Sequence, residues 1–218
     1  MTENFDNAEF IKRVLSPSDR RRLLRAVLIF TAMFVLAFAI GVLCYFSFFK
    51  NDADQSVNYI EVYLKSGIFD KSYASTPKDA VFVLFVNFFK NATPLVFALL
   101  FAYSIFSGAV CSYLCIRGAL TFGFCASAFA SVIMSGGASL LPMAVYVLIF
   151  AAKAALCILF FSKAVMFSRA WRLDNMPIKD LIASKRSVTF ICEGILFFSS
   201  VCAVTLLESL LLALLNLQ

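Results

Sequence analysis

Long apolar runs dominate this chain of 218 residues, and only 15% of its residues carry a charge. A typical soluble domain is about 25% charged, and a small water-soluble protein cannot bury a sequence that is 62% hydrophobic. A helix needs about 20 apolar residues to cross a bilayer. Runs of this kind occupy residues 26–49, 94–115, 118–135, 139–167 and 188–217. The sequence therefore predicts an all-α, polytopic membrane bundle with five transmembrane helices.

The segments between the runs complete a single membrane domain, 26–217, that follows a basic cytoplasmic lead-in, 1–25. Ser16 and Pro17 form a helix start, and the helix is predicted to continue into the first run. Residues 50–79 form an outer loop. The stretch at 77–91 contains too few apolar residues to cross and is predicted to be an interfacial or re-entrant helix. Its polar residues are Asn87, Lys90 and Asn91.

Basic residues predict the orientation, because Lys and Arg concentrate in short cytoplasmic loops. Twelve of them lie on the side of the N-terminus, whereas four lie in the outer loop. Arg117 is counted among the twelve, since Arg117 and Gly118 are predicted to form the turn of a hairpin between the second and third runs. The N-terminus is therefore expected inside and the C-terminus outside. This topology accounts for the net charge of +6, and no nucleic-acid partner is expected.

Small residues spaced by four predict close contacts between helices. Ser104, Gly108 and Ser112 follow this spacing in the second run, as do Gly123, Ser127 and Ser131 in the third. The third run is therefore expected at the centre of the bundle.

Two lysines and two glutamates fall inside the predicted spans. Lys153 lies near the middle of the fourth run, where a lysine costs roughly 2.5–3.5 kcal/mol on insertion scales. Glu208 is a possible partner, while Lys163 and Glu193 match each other better in depth. Three roles are open for these residues. They form ion pairs that stabilise the bundle, they line a route for a solute, or they contact a partner subunit.

The sequence lacks the residues of common catalytic sites. It has no His, which excludes His-ligated zinc and His-dependent nucleophilic catalysis, and it has no nucleotide-binding loop. All seven cysteines fall inside the runs and are interpreted as packing residues. No enzyme activity, metal or cofactor is predicted.

The order of these features resembles the stage II sporulation protein M family of bacterial membrane proteins. The resemblance covers residues 26–216 and includes the basic lead-in, the first span and an outer loop of about thirty residues. The residues that carry it further are Phe85, Asn87 and Phe89 in the short apolar run, Arg117, Gly118, Gly123 and Phe124 at the predicted hairpin, and Leu141 and Pro142 before the fourth span. Family members often have Lys at the position of Arg117.

The resemblance implies a non-catalytic scaffold in the bacterial cell membrane that acts in engulfment during sporulation. Its implied partners are membrane-anchored peptidoglycan hydrolases, the stage II sporulation proteins D and P, in addition to the lipid bilayer.

A small transporter or channel subunit is the alternative that the residues themselves suggest. Pro94 and Pro142 interrupt apolar runs, and Lys153 lies in mid-membrane. Broken helices near the midplane are typical of transporter binding sites. Both prolines are, however, predicted near the outer ends of their spans, and this placement favours the scaffold.

Overall fold

A computed structural model describes residues 17–48, 91–134, 140–173, 182 and 184–216 of the chain. These segments contain five helices and no strand: α1 Pro17–Phe48, α2 Asn91–Phe101, α3 Ser107–Met134, α4 Leu140–Leu173 and α5 Lys185–Asn216. All of them except α2 are long and apolar enough to cross a membrane. The predicted all-helical class is thus confirmed for the described residues, which are compatible with a multi-pass membrane protein.

The helix start predicted at Ser16 and Pro17 is confirmed at the level of the backbone. Helix α1 begins at Pro17 and continues through the arginine cluster into the first apolar run without interruption. Proline is tolerated there because the first residues of a helix have no preceding carbonyl to bond.

Helices α1 and α3 run in the same direction. The thiol of Cys115 donates to the carbonyl of Phe30 at 3.6 Å, and the rings of Tyr45 and Phe124 lie 5.4 Å apart further along both helices. The chain must therefore return to its starting end between α1 and α3. Helix α2, about 16 Å long at 1.5 Å per residue, covers only part of the roughly 30 Å of hydrocarbon.

Helix α4 runs against α3. The rings of Tyr103 and Phe167 are 5.2 Å apart at one end, and those of Phe122 and Phe150 are stacked at 3.9 Å further along. Helix α5 in turn runs against α4, since Phe190 stacks on Phe167 at 4.5 Å. Among the four long helices, α4 packs against the other three whereas α3 packs against two, so α4 takes the central position that the sequence predicts for the third run.

These directions bring most of the described basic residues to one end of the bundle, called the basic end below. The start of α1, the segment 102–106, the end of α4 and the start of α5 meet there. Its basic residues are Arg20, Arg21, Arg22, Arg25, Arg169, Arg172, Lys185 and Arg186.

The hairpin predicted at Arg117 and Gly118 is wrong. Helix α3 passes through both residues without interruption, and the chain turns instead at residues 102–106. A glycine costs about 1 kcal/mol in a helix interior, which the packing of α3 against two long helices can offset. The predicted spans 94–115 and 118–135 are therefore replaced by the short α2, the turn, and one long helix.

Several other predicted segments lie outside the described residues. They are the lead-in up to residue 16, the outer loop 50–79, the interfacial helix 77–91 apart from Asn91, and residues 135–139 between α3 and α4.

Two glycines hold α1 and α3 in close backbone contact. A Cβ atom added to Gly123 would overlap the carbonyl oxygen of Phe38, and one added to Gly41 would overlap that of Leu120. The close approach that the small-residue spacing predicts therefore occurs at Gly123. It does not occur at Gly108, around which no atom lies within 4 Å of an added Cβ.

We expect Gly123→Ala to destabilise the bundle by about 1–3 kcal/mol, because the new methyl group forces α1 and α3 apart. Gly108→Ala is the matched control on the same helix and is expected to be neutral or slightly stabilising, since alanine favours helix and meets no neighbour. Thermal unfolding of the full-length variants in detergent measures both. Equal stability of the two variants would contradict the glycine contact.

Candidate functional site

A cavity of about 600 Å³ lies between α2, α3 and α4, with single contributions from α1 and α5. Its polar lining comes from all three helices. The polar residues are Asn91, Thr93, Arg117, Thr121 and Lys153. Most of the remaining wall is aromatic or aliphatic, so the cavity combines a small polar region with an apolar surface. This combination is typical of ligand sites.

Arg117 places a permanent positive charge far from either end of α3. It lies ten residues after Ser107, which corresponds to about 15 Å along the helix axis. The side chain is exposed on the surface of the described structure and lines the cavity. The sequence had suggested a cytoplasmic turn for this residue, but its position within α3 makes it a charge within the apolar bundle.

Lys153 lies on the opposite wall at a similar level. Phe150 stacks on Phe122, and α4 is antiparallel to α3, so Lys153 lies within about one helical turn of the level of Arg117. Its side chain is half-buried and lines the cavity. The position near the middle of a long apolar helix, which the sequence predicts, is present in the structure.

Helix α2 supplies the third wall. Asn91, Thr93 and Pro94 all line the cavity, and all three belong to the described part of α2. The sequence had placed Pro94 near the outer end of a full span. Instead it belongs to a short helix beside two cationic side chains, and this removes the argument that its position favours a scaffold.

The hydroxyl of Thr121 donates to the carbonyl of Arg117 at 2.9 Å, one turn earlier in α3. Tyr113, Arg117 and Thr121 are spaced by four residues and are all exposed, so they form one stripe along α3. This stripe is where the cavity meets the surface of the described bundle.

The ion pair that the matched depths predict is formed on another face of the bundle. Lys163 Nζ lies 2.8 Å from Glu193 Oε1 and also approaches the ring of Phe197, at 5.9 Å from its centroid. About 31% and 26% of the two side chains remain exposed, so the pair joins α4 to α5 in a partly shielded position. The pairing suggested between Lys153 and Glu208 stays a prediction, because the side chain of Glu208 lies outside the described part of the chain, as do Asn87 and Lys90.

Side chains from α4 and α5 hold the turn at residues 102–106. Ser168 Oγ donates to the carbonyl of Ser104 at 2.9 Å, and Trp171 Nε1 donates to the carbonyl of Ala102 at 3.2 Å. The hydroxyls of Tyr103 and Ser187 are 2.5 Å apart. These bonds satisfy carbonyl groups at the end of α2 that have no partner within the helix.

The sequence did not indicate these roles for Tyr103, Ser168 and Trp171. The one available signal was Trp171, the only tryptophan of the chain, whose indole N–H needs an acceptor when it is buried. The acceptor could not be identified from sequence because it is a backbone carbonyl of a distant turn.

The cysteines pack rather than cluster. Cys111, Cys115 and Cys125 are buried, and the thiol of Cys115 bridges α3 to α1. Within the described residues, no group of three or more His, Cys, Asp or Glu side chains could hold a metal ion.

Comparisons with known proteins identify no relative: no family model, no curated protein and no solved structure matches the chain.

We expect Ser168→Ala to destabilise the bundle by about 0.6–1.7 kcal/mol, the range measured for hydrogen bonds between membrane helices, because the carbonyl of Ser104 loses its donor. Ser162→Ala is the matched control: Ser162 is equally buried on the same helix, but its hydroxyl bonds only the carbonyl of Ile158 one turn away. Unfolding of both variants in detergent gives the comparison. A loss for Ser162→Ala as large as that for Ser168→Ala would contradict a specific role of the bond to the turn.

Proposed function

We propose that this chain is a non-catalytic scaffold in the bacterial cell membrane that anchors peptidoglycan-remodelling partners during engulfment, as the stage II sporulation protein M family does. The resemblance in the order of its spans, loop and short motifs suggests this role. The partners by resemblance are the stage II sporulation proteins D and P.

The observation that carries the proposal is the use of polar side chains as braces between helices. Ser168 and Trp171 bond the turn at 102–106, Tyr103 meets Ser187 on α5, and Lys163 pairs with Glu193. Each of these contacts joins segments that are distant in sequence. A framework braced in this way suits a protein that holds partners in place.

The orientation in this proposal has the basic end in the cytoplasm. Eight of the described basic residues lie at that end, and the positive-inside rule associates such clusters with the cytoplasmic face. Because α1 and α3 are parallel and α4 and α5 alternate after them, the C-terminus then lies outside. Extracytoplasmic partners would meet the opposite end of the bundle and the loop 50–79.

Deletion of the gene is expected to arrest engulfment in a sporulating source organism, and a tagged full-length protein, cross-linked in its membrane, is expected to recover the D and P proteins. Gly108→Ala should restore engulfment to the deletion strain, whereas Gly123→Ala should restore it less well because it disturbs the α1–α3 contact. Normal engulfment in the deletion strain would overturn this role.

The cavity favours a second candidate, a small transporter or channel subunit. Arg117 and Lys153 line it near the middle of their helices, and the described part of α2, Asn91–Phe101, is shorter than a full span. Discontinuous helices beside polar groups are typical of transporter binding sites.

If the chain is a transporter, a small anion should enter liposomes that contain the purified protein. This flux should fall by about tenfold or more in Lys153→Ala, because the substitution removes one of the two cationic groups at the site. Flux that is absent, or unchanged in Lys153→Ala, would count against transport and leave the scaffold proposal unaffected.

A further inference from the structure

The cavity between α2, α3 and α4 combines two cations with an apolar wall, and no acidic residue lines it among the described residues. Glu193 is the only acidic residue whose side chain the structure describes, and it pairs with Lys163. A charged side chain in the middle of a bilayer costs several kcal/mol unless it meets a counter-charge, water or a headgroup. The two cations in its lining therefore favour the binding of an anion near Arg117.

Arginine is the residue best suited to bind a phosphate in this setting. Its planar guanidinium donates two parallel hydrogen bonds to phosphate oxygens, and it stays charged when it is removed from water. The hydroxyl of Thr121, one turn along the same helix, donates to the carbonyl of Arg117 at the rim of the cavity. Lys153 has interactions of its own within the chain, so Arg117 is the residue on which an anion site depends.

The walls of the cavity indicate a lipid rather than a free ion. Phe97, Phe101 and Phe150 line it together with Phe161, which gives an apolar surface that a small inorganic anion cannot use. The polar rim is exposed on the flank of α3 at Tyr113, Arg117 and Thr121. If this flank faces the bilayer, an amphiphile can enter the cavity from the side.

We propose that this cavity binds one anionic phospholipid, whose phosphate contacts Arg117 and whose acyl chains lie against the aromatic wall. Lys153 adds positive potential on the opposite side. An arginine within a bilayer draws headgroups and water toward itself, which lets a phosphate reach this level. The site depends neither on the scaffold role nor on transport.

The purified full-length protein is titrated with phosphatidylglycerol or with phosphatidylcholine of the same acyl chains. Native mass spectrometry then measures how many lipids of each kind bind and how tightly. We expect one tightly bound phosphatidylglycerol, with phosphatidylcholine bound at least about tenfold more weakly, because Arg117 and Lys153 repel the choline cation that phosphatidylcholine carries beside its phosphate. Arg117→Gln should abolish the preference. Arg117→Lys keeps the charge but loses the two parallel bonds, so it should retain only part of the preference.

Two further variants distinguish lipid binding in the cavity from general attraction between basic residues and anionic lipid. Arg22→Gln removes the same charge from an exposed position at the basic end and should leave the tight site intact. Gly118→Leu adds no clash at its Cβ atom, fills the cavity without changing charge, and should weaken phosphatidylglycerol binding. Thermal unfolding of each variant shows whether its fold is intact.

Three results would overturn the proposal. The first is equal binding of the two lipids, and the second is a loss in Arg22→Gln as large as that in Arg117→Gln. The third is displacement of the lipid by inorganic phosphate at equal concentration, which would assign the site to a free anion. If a carboxylate of this chain occupied the cavity, the two lipids would bind equally, which is the first of these results.

Discussion

The close contact between α1 and α3 is the constraint from which the rest of the described fold follows. Gly41 and Gly123 let the two backbones meet where any side chain would separate them. Because the two helices are parallel, the chain has to return between them, and the return path cannot occupy the space that the contact fills. The described end of that path is α2, which lines the same cavity as α3 and α4. The cavity is the space that remains between α2 and the long helices.

The turn at the basic end also has to satisfy its backbone. Donors from α4 bond two carbonyl groups of the turn, those of Ala102 and Ser104. These donors exist only if α4 is antiparallel to α3 and is packed against the turn. The ring stack of Phe167 and Phe190 continues this packing to α5. Hydrogen bonds therefore contribute to the arrangement of α3, α4 and α5 around the turn, in addition to apolar burial.

The sequence predicted the features that depend on local chemistry. Apolar length identified α1, α4 and α5, Pro17 marked the start of α1, and the matched depths of Lys163 and Glu193 indicated their ion pair. The turn was misplaced by about fifteen residues, because Arg117 next to Gly118 has the composition of a cytoplasmic loop, whereas residues 102–106 contain no proline, no glycine and no charge. The signals that place the true turn are tertiary. Moving the turn does not change the direction of any later helix, so the predicted arrangement of the two termini is the same for either position.

Misplacing the turn had a larger effect on the candidate site. As a loop residue, Arg117 needs no explanation beyond topology; within α3 it is a charge in the apolar part of the bundle, beside Lys153 on the facing helix. Ser168 bonds the turn at 102–106 and Glu193 pairs with Lys163 on α4, so each of these polar side chains has a described partner in another segment. Arg117 lies on an exposed stripe of α3. The described bond at this residue is the one that Thr121, on the same helix, donates to its backbone carbonyl. In our proposal, the phosphate of a bilayer lipid offsets the cost of keeping a guanidinium at this level.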